Sequence, residues 1–267
     1  MAGSATAERG ARQEESSGPP LVRRLGPRRL RMIIILALAV LLLGGGTAWV
    51  LYGSSWTRVE RVTVSGTDVL TPAEVREAAA VPVGTPLVSV DTGEIGARLR
   101  AKLPRIDEVE VTRSWPHGIG LKVTERKPVL LIQKGSNFVE VDDEGVRFDT
   151  ISEALKNVPL LEMALSSTGS GGSGAASLRR FGEDRLVREA VKVAGDIPDA
   201  VAKRTRALKV RSYDDISLEL ADGRTVAWGS AEKGALKART LSALMKASPA
   251  ARHFDVSAPT APSSSGS

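Results

Sequence analysis

Residues 32 to 52, MIIILALAVLLLGGGTAWVLY, carry no charged side chain. As a helix rising about 1.5 Å per residue, the run reaches about 30 Å, the thickness of one hydrocarbon core. A helix satisfies its backbone hydrogen bonds internally, which is what lipid demands of any segment that crosses it. A secretory signal shows a shorter apolar core, about 7–15 residues, ending in small residues at a cleavage site. Here the run ends in Thr47-Ala48-Trp49-Val50-Leu51-Tyr52, with bulky side chains where cleavage needs small ones. The sequence therefore predicts an uncleaved transmembrane helix over 32–52, in contact with the lipid bilayer.

The flanks orient it. Arg23, Arg24, Arg28, Arg29 and Arg31 crowd the amino side without an acidic neighbour, whereas Arg58 and Arg61 beyond the run are interleaved with Glu60 and Asp68. Basic residues concentrate on the cytoplasmic side of a span. Residues 1–31 are thus expected as a basic cytoplasmic tail, with everything after Tyr52 extracytoplasmic. Orientation in lipid accounts for the arginine cluster, and much of the net charge of +6, without nucleic acid. The chain has no Cys, which excludes a disulfide framework, a thiolate metal site and a Cys nucleophile. Only five residues, Gly53 to Thr57, precede the first patterned segment. They span at most about 17 Å, so the first folded domain works close to the membrane.

That segment reads β-α-α-β-β. Val59, Val62 and Val64 outline a strand that stops at Gly66. Thr71-Pro72-Ala73-Glu74 is a capping box with proline at the first helical position. Val75, Ala78 and Ala79 share the inner face of that helix, and Pro82 limits it. A second helix opens at Asp91 or Thr92, repeats Ile95, Leu99 and Leu103 every four residues, and stops at Pro104. Then Val109 and Val111 face Ile119, Leu121 and Val123 across a turn at Pro116-His117-Gly118. Three strands with two helices on one face bury a core and leave the opposite face and one edge free. Glu110, Arg113, Lys122 and Glu125 are expected to solvate the outer face.

Four stretches carry a family resemblance. Val62-Thr-Val-Ser-Gly66, Gly84-Thr-Pro-Leu-Val-Ser-Val-Asp91, Val109-Glu-Val-Thr-Arg113-Ser-Trp-Pro116 and Ile119-Gly-Leu-Lys-Val-Thr-Glu-Arg-Lys-Pro128, in that order, resemble the POTRA domain of FtsQ/DivIB cell-division proteins. The last two, V-x-V-x-R-x-W-P followed by I-x-L-x-V-x-E-R-x-P, are the specific ones. The resemblance extends from about residue 56 to about residue 262. With the residue patterns it gives an α+β chain: a single transmembrane helix, a POTRA domain over 58–127, a mainly antiparallel β domain with helices over 128–257, and a flexible tail over 258–267.

The second half shows its own periodicity. Asn137 to Val141, a turn at Asp142-Asp-Glu-Gly145, and Val146 to Asp149 form a hairpin pattern. The acidic turn lacks the spaced oxygen ligands and closing Glu of a calcium loop, so it reads as a plain turn. Pro159-Leu-Leu161 starts another strand. Ser166 to Ser177, almost all Ser, Gly, Thr and Ala, reads as a flexible insertion. Leu186, Val187, Ala190, Val191 and Ala194 mark an amphipathic helix from near Asp184. Ala207 to Arg211, Ile216 to Leu220 and Thr225 to Trp228 read as strands. Ser230 is expected to cap a helix through about Ala247, with Leu236, Leu241, Leu244 and Met245 inward and Lys233, Lys237, Arg239 and Lys246 in water. His253 to Ser257 is expected as the terminal strand.

Catalytic patterns are missing from the sequence. His117 and His253 stand alone, without metal-ligand spacing. No G-x-S-x-G elbow occurs, and Gly229-Ser-Ala-Glu-Lys-Gly234 departs from a phosphate loop at Ala235, where lysine is required. No catalytic, metal or cofactor site is expected, and the chain is not expected to be an enzyme. The resemblance implies a divisome scaffold at the septum whose β domain receives an FtsB-like protein acting with an FtsL-like one, with septal wall synthases as further contacts. The alternative is a POTRA-type docking or chaperone domain for export or membrane insertion, although such systems bring repeats and a barrel or channel. Carried over with the resemblance, and with strand addition as the mode of capture, Asp255, Val256 and Ser257 would lie on the receiving strand, with Lys233, Lys237 and Thr240 as helix contacts.

Overall fold

A computed structural model describes residues 27–53, 55–163, 180 and 182–266. The chain divides into two compact units, one ending at Trp56 and the other beginning at Thr57. In the first, helix α1 (Pro27–Ala48) runs on through a π-helical turn, Trp49–Gly53. None of its residues is buried by protein, as expected of a helix whose solvent is hydrocarbon. Pro27–Gly53, whose most apolar 18 residues have a mean hydropathy of 2.4, is the one helix among the described residues long and apolar enough to cross a membrane.

The second unit begins with the expected order: β1 (Arg61–Ser65), α2 (Pro72–Ala79), α3 (Thr92–Lys102), β2 (Ile106–Ser114) and β3 (Gly118–Glu125). Local chemistry sets the helix starts. The Thr71 hydroxyl accepts from the Glu74 amide at 3.2 Å while the Glu74 carboxylate accepts from the Thr71 amide at 2.8 Å. Asp91 caps α3 by accepting from the amides of Gly93 and Glu94 at 2.8 and 3.0 Å. The sheet order is β1-β3-β2, with β1 parallel and β2 antiparallel to the central strand. Val109 pairs with Val123 and Val111 with Leu121. Val75, Leu87, Ile95, Leu99, Ile119 and Leu121 form the core beneath. Because β3 is central, both β1 and β2 are margins of this sheet, one more than expected.

Two charged residues expected to solvate the outer face have structural tasks instead. The Glu125 carboxylate accepts from three consecutive amides, Asp68, Val69 and Leu70, at 2.8, 3.1 and 3.0 Å. Arg113 donates to the carbonyls of Leu87 and Val90 at 3.1 and 2.6 Å. Glu110 and Lys122 do form an exposed pair, 3.7 Å apart. Gly66 has φ +82°, and a Cβ there would lie 2.1 Å from the Val123 carbonyl oxygen, so glycine is required where the first motif ends.

The remainder forms a nine-stranded sheet in the order β12-β11-β10-β9-β8-β7-β4-β5-β6. Its strands are β4 (Leu130–Lys134), β5 (Asn137–Val141), β6 (Arg147–Ile151), β7 (Leu160–Met163), β8 (Thr205–Ser212), β9 (Asp215–Leu220), β10 (Thr225–Gly229), β11 (His253–Asp255) and β12 (Ser263–Ser265). Helices α4 (Glu183–Asp196), α5 (Asp199–Ala202) and α6 (Gly234–Ala247) complete it. Most joints are antiparallel, but β4–β7, β7–β8 and β10–β11 are parallel. The β10–β11 joint needs a crossover, and α6 supplies it. Leu186, Val187 and Ala190 of α4 meet Trp228, Leu241, Phe254 and Val256 in one core. The insertion predicted over Ser166 to Ser177 lies outside the described residues.

An ionic cluster joins the two sheets. Arg105 precedes β2 and Arg126 follows β3, and the Arg126 amide donates to the Arg105 carbonyl at 2.8 Å, so the two stand side by side. Arg105 bonds Glu140 of β5 and, at 2.6 and 3.0 Å, Asp149 of β6, with its guanidinium 5.2 Å from the Phe148 ring centroid. Arg126 bonds Asp142 and lies 3.3 Å from Asp107. The Glu140 and Asp142 side chains are only 2% and 1% exposed. The acidic turn is therefore more than a plain one: Asp142 also accepts from the amides of Glu144 and Val146 at 3.0 and 2.7 Å. Burial pushes the Glu140 carboxyl above its ordinary value against the pull of Arg105. Burial opposes the charge of Arg126, but Asp142 outweighs it and holds the guanidinium above its ordinary value.

Removing one partner of a buried pair strands the other charge. Arg126→Met is expected to cost about 3–5 kcal/mol in urea unfolding. Adding Asp142→Asn, which keeps the acceptor for both turn amides, is expected to recover most of that loss. A carboxyl whose pKa is raised by folding holds its proton better in the folded chain, so its contribution grows as pH falls and is lost as pH rises through the raised value. Stability of the wild type relative to Glu140→Gln is therefore expected to increase as pH is lowered from neutral through the raised value towards 4.5, measured by unfolding both proteins at each pH.

Candidate functional site

The carboxyl-terminal margin of the nine-stranded sheet is built from β10, α6, β11 and β12. Parallel pairing aligns Thr225, Val226 and Ala227 with His253, Phe254 and Asp255. Alternation along β11 sends Phe254 into the core, where it is 1% exposed, and leaves His253 and Asp255 outside. Val256 continues the pattern: its side chain is fully buried and its amide donates to the Ala227 carbonyl at 3.0 Å. Gly229 lets this end of β11 come close, since a Cβ there would lie 2.9 Å from the Ser257 Cβ at a φ of +79°.

The structure corrects the expected edge. The other side of β11 is occupied within the same chain, with His253, Phe254 and Asp255 paired antiparallel to Ser265, Ser264 and Ser263 of β12. The Arg252 amide extends this pairing to the carbonyls of Ser265 and Gly266 at 3.1 and 2.8 Å. Residues 258–267, expected as a flexible tail, thus contain an ordered strand. The cause is a reversal after Val256: the Ala261 amide donates to the Ala258 carbonyl at 2.9 Å, and the serines then pair through main-chain groups. Such pairing needs no apolar alternation, so the sequence pattern carried no sign of it.

The expected contact residues fall into two groups. Asp255 and Ser257 are exposed, and the Asp255 carboxylate accepts from the Ser257 amide and hydroxyl at 2.9 and 2.7 Å. Lys233 is exposed and left-handed, with φ +56°, at the start of α6, and Thr240 is half-buried. Val256 and Lys237 are withdrawn from the surface. Lys237 is 2% exposed and its ammonium donates to the Ser230 carbonyl at 2.8 Å. Burial lowers its pKa, opposed by the charges of Glu232 and Asp255.

The reason is helical phase. Helix α6 starts at Gly234, and Ser230 serves as the acceptor for Lys237 rather than as the expected cap. Lys237 then shares a face with Leu241 and Leu244, which pack in the core. Leu236, expected inward, turns outward at 45% exposure on the face of Thr240. Leu236 is a large apolar residue that the sequence reading turned the wrong way, and the spacing itself carries the correction: at 3.6 residues per turn it lies about 140° from Leu241 wherever the helix starts.

The margin is held together by main-chain donors and acceptors. Among the described residues no group of three or more His, Cys, Asp or Glu is placed to hold a metal. The His253 ring contacts the Thr225 hydroxyl at 2.6 Å. His117 lies in the β2–β3 turn, where its carbonyl accepts from Glu60 and Arg61.

Comparison with known proteins agrees with this architecture. Residues 57–126 match the family described as POTRA domain, FtsQ-type. Residues 130–257 match the family described as cell division protein FtsQ/DivIB, C-terminal. The chain is 73% identical to the cell division protein FtsQ of Streptomyces coelicolor over the full length of both. It is 55% identical to that of Streptomyces venezuelae, covering all of this chain and 99% of the relative. To that of Mycobacteroides abscessus it is 27% identical, over 96% of this chain and 76% of the relative. With both sheets assigned to matching domains and one apolar helix ahead of them, this chain belongs to the FtsQ/DivIB family of cell division proteins.

Proposed function

We propose that the protein is a bitopic scaffold of the divisome, with its tail in the cytoplasm and its two sheets outside, which collects FtsB- and FtsL-type single-pass partners at the septum. It acts by holding proteins together rather than by catalysis. Septal wall synthases are reached through the same assembly.

The observation that supports this reading is the cover on β11. Strand β12 consists of three serines, two of them exposed and one half-buried. It buries almost no apolar surface, so its hold on β11 rests on a few main-chain hydrogen bonds, each worth about 0.5–1.5 kcal/mol net. An incoming strand with apolar side chains makes the same bonds and adds burial at about 25 cal/mol per Å². We infer that the partner's strand takes the place of β12 against β11, the strand-addition mode of recognition. Asp255 and Ser257 then receive the partner, with Val256 as the inner support of their strand. Lys233, Thr240 and Leu236 are the α6 contacts; Lys237 supports the helix from beneath.

Main-chain direction selects the test. The Val256 amide points to β10, so alternation turns the Asp255 amide towards the partner side. A proline at 256 would break the sheet itself, whereas Asp255→Pro removes a donor that β10 does not use. Asp255→Pro is expected to weaken capture of the FtsB-like partner from detergent-solubilised membranes by about tenfold; unchanged recovery contradicts the docking strand. A variant ending at Ala258 is expected to capture the partner more strongly than the wild type, because the competing strand is gone. Lost capture in that variant would show that the partner adds to β12 instead of replacing it.

A further inference from the structure

The turn end of the first sheet collects exposed apolar side chains that the core does not use. Trp115 is 52% exposed and Pro116 is exposed at the tip of the β2–β3 hairpin. Val83 is 66% exposed in the loop between α2 and α3, beside exposed Pro82. These tips are far apart in sequence, yet the backbone fixes both to the first residues of the unit.

On one side, the Val59 amide donates to the Thr85 carbonyl at 2.9 Å and the Gly84 amide to the Val59 carbonyl at 2.8 Å. The Arg58 guanidinium donates to the Gly84 carbonyl at 2.9 Å, and the Thr85 hydroxyl closes the loop on the Pro82 carbonyl at 2.7 Å. On the other side, the amides of Glu60 and Arg61 donate to the His117 carbonyl at 2.9 and 3.2 Å. Strand β1 is parallel to β3 and pairs Arg61 with Gly118, the first residue after the hairpin turn. The end of the sheet that carries Trp115 is therefore the end at which the chain enters it.

The apolar helix ends four residues before Thr57. A chain that short reaches at most about 14 Å when extended. The chain length thus bounds only how far Thr57, where the second unit begins, can stand from the carboxyl end of the apolar helix. Tryptophan, with an apolar ring and one N–H donor, favours the boundary between hydrocarbon and water. Exposed Arg58 and Arg61 flank the same entry, with Glu60 as the opposing charge.

We propose that this end of the POTRA domain is a lipid-contacting surface, in which Trp115 and Val83 enter the interface of the bilayer that holds the anchor. The occupant is a membrane surface with anionic headgroups. The inference rests on the anchor and the hairpin, not on partner capture at β11, so the two stand or fall separately.

The natural chain has no Cys, which makes single-site labelling direct. Trp115→Cys, Val83→Cys and, as an exposed control in the β4–β5 turn, Ser136→Cys are each labelled with a nitroxide. The full chain is reconstituted in phosphatidylcholine vesicles containing a minority of phosphatidylglycerol. Collision rates with oxygen, which concentrates in lipid, and with a water-soluble nickel chelate are then compared by power-saturation electron paramagnetic resonance. The oxygen-to-nickel ratio is expected to be severalfold higher at 115 and 83 than at 136. Equal ratios at all three positions would overturn the proposal. All three sites are exposed, so retention of the wild-type far-ultraviolet circular dichroism is expected and checks that labelling has left the fold intact.

Discussion

Two arginines at one end of a hairpin face two carboxylates that are almost wholly withdrawn from water, and the organisation of the second unit depends on that match. Arg105 and Arg126 come from the POTRA domain; Glu140 and Asp142 come from the β domain. A buried ion pair adds little net stability, because desolvation offsets much of the attraction, but misplacing either domain would strand a charge at a cost of several kcal/mol. The cluster therefore sets registry more than it supplies strength. Arg126 sits in the E-R-x-P motif beside Glu125, whose carboxylate organises the amides ahead of α2. Adjacent residues of one motif thus close the first domain and dock the second.

Registry at β5 reaches the carboxyl-terminal margin through the sheet itself. From β5 the ladder runs through β4, β7, β8, β9 and β10 to β11 without a break. A sheet that ended at β11 would present a row of unpaired donors and acceptors, an invitation to unwanted pairing. Strand β12 meets that liability with the least apolar material available. Its serines satisfy the backbone and contribute little else; the proposed partner strand would compete for that same pairing.

Much of this was legible in the sequence because it is local. The Thr71 capping box, the alternation of Val109 and Val111 against Leu121 and Val123, and the apolar face of α4 are written at spacings of two to four residues. What stayed hidden depends on partners remote in the chain. Arg113 and Glu125 look like solvated charges until Val90 and Asp68 are brought to them across 23 and 57 residues. Strand β4 was missed because Leu130 and Leu131 are both buried, which removes the alternation that marks a half-exposed strand. Lys237 was misplaced because its charge was read as solvated although its i, i+4 spacing to Leu241 puts it on the inner face, where a lysine stem is long enough to pass through apolar surroundings to a carbonyl. Of the candidate site, Asp255, Ser257 and Lys233 lie at the surface, while the strand that pairs with His253 to Asp255 was invisible because serines pair only through their main chain.

The central claim is that β11 serves a partner only when β12 leaves it. Hydrogen exchange on the full chain, free and with the FtsB-type partner bound, tests this directly at individual amides. The account predicts that the β12 amides lose protection on binding while the Val256 amide, held by β10, stays protected in both states. Undiminished protection of β12 in a chain with bound partner would contradict it.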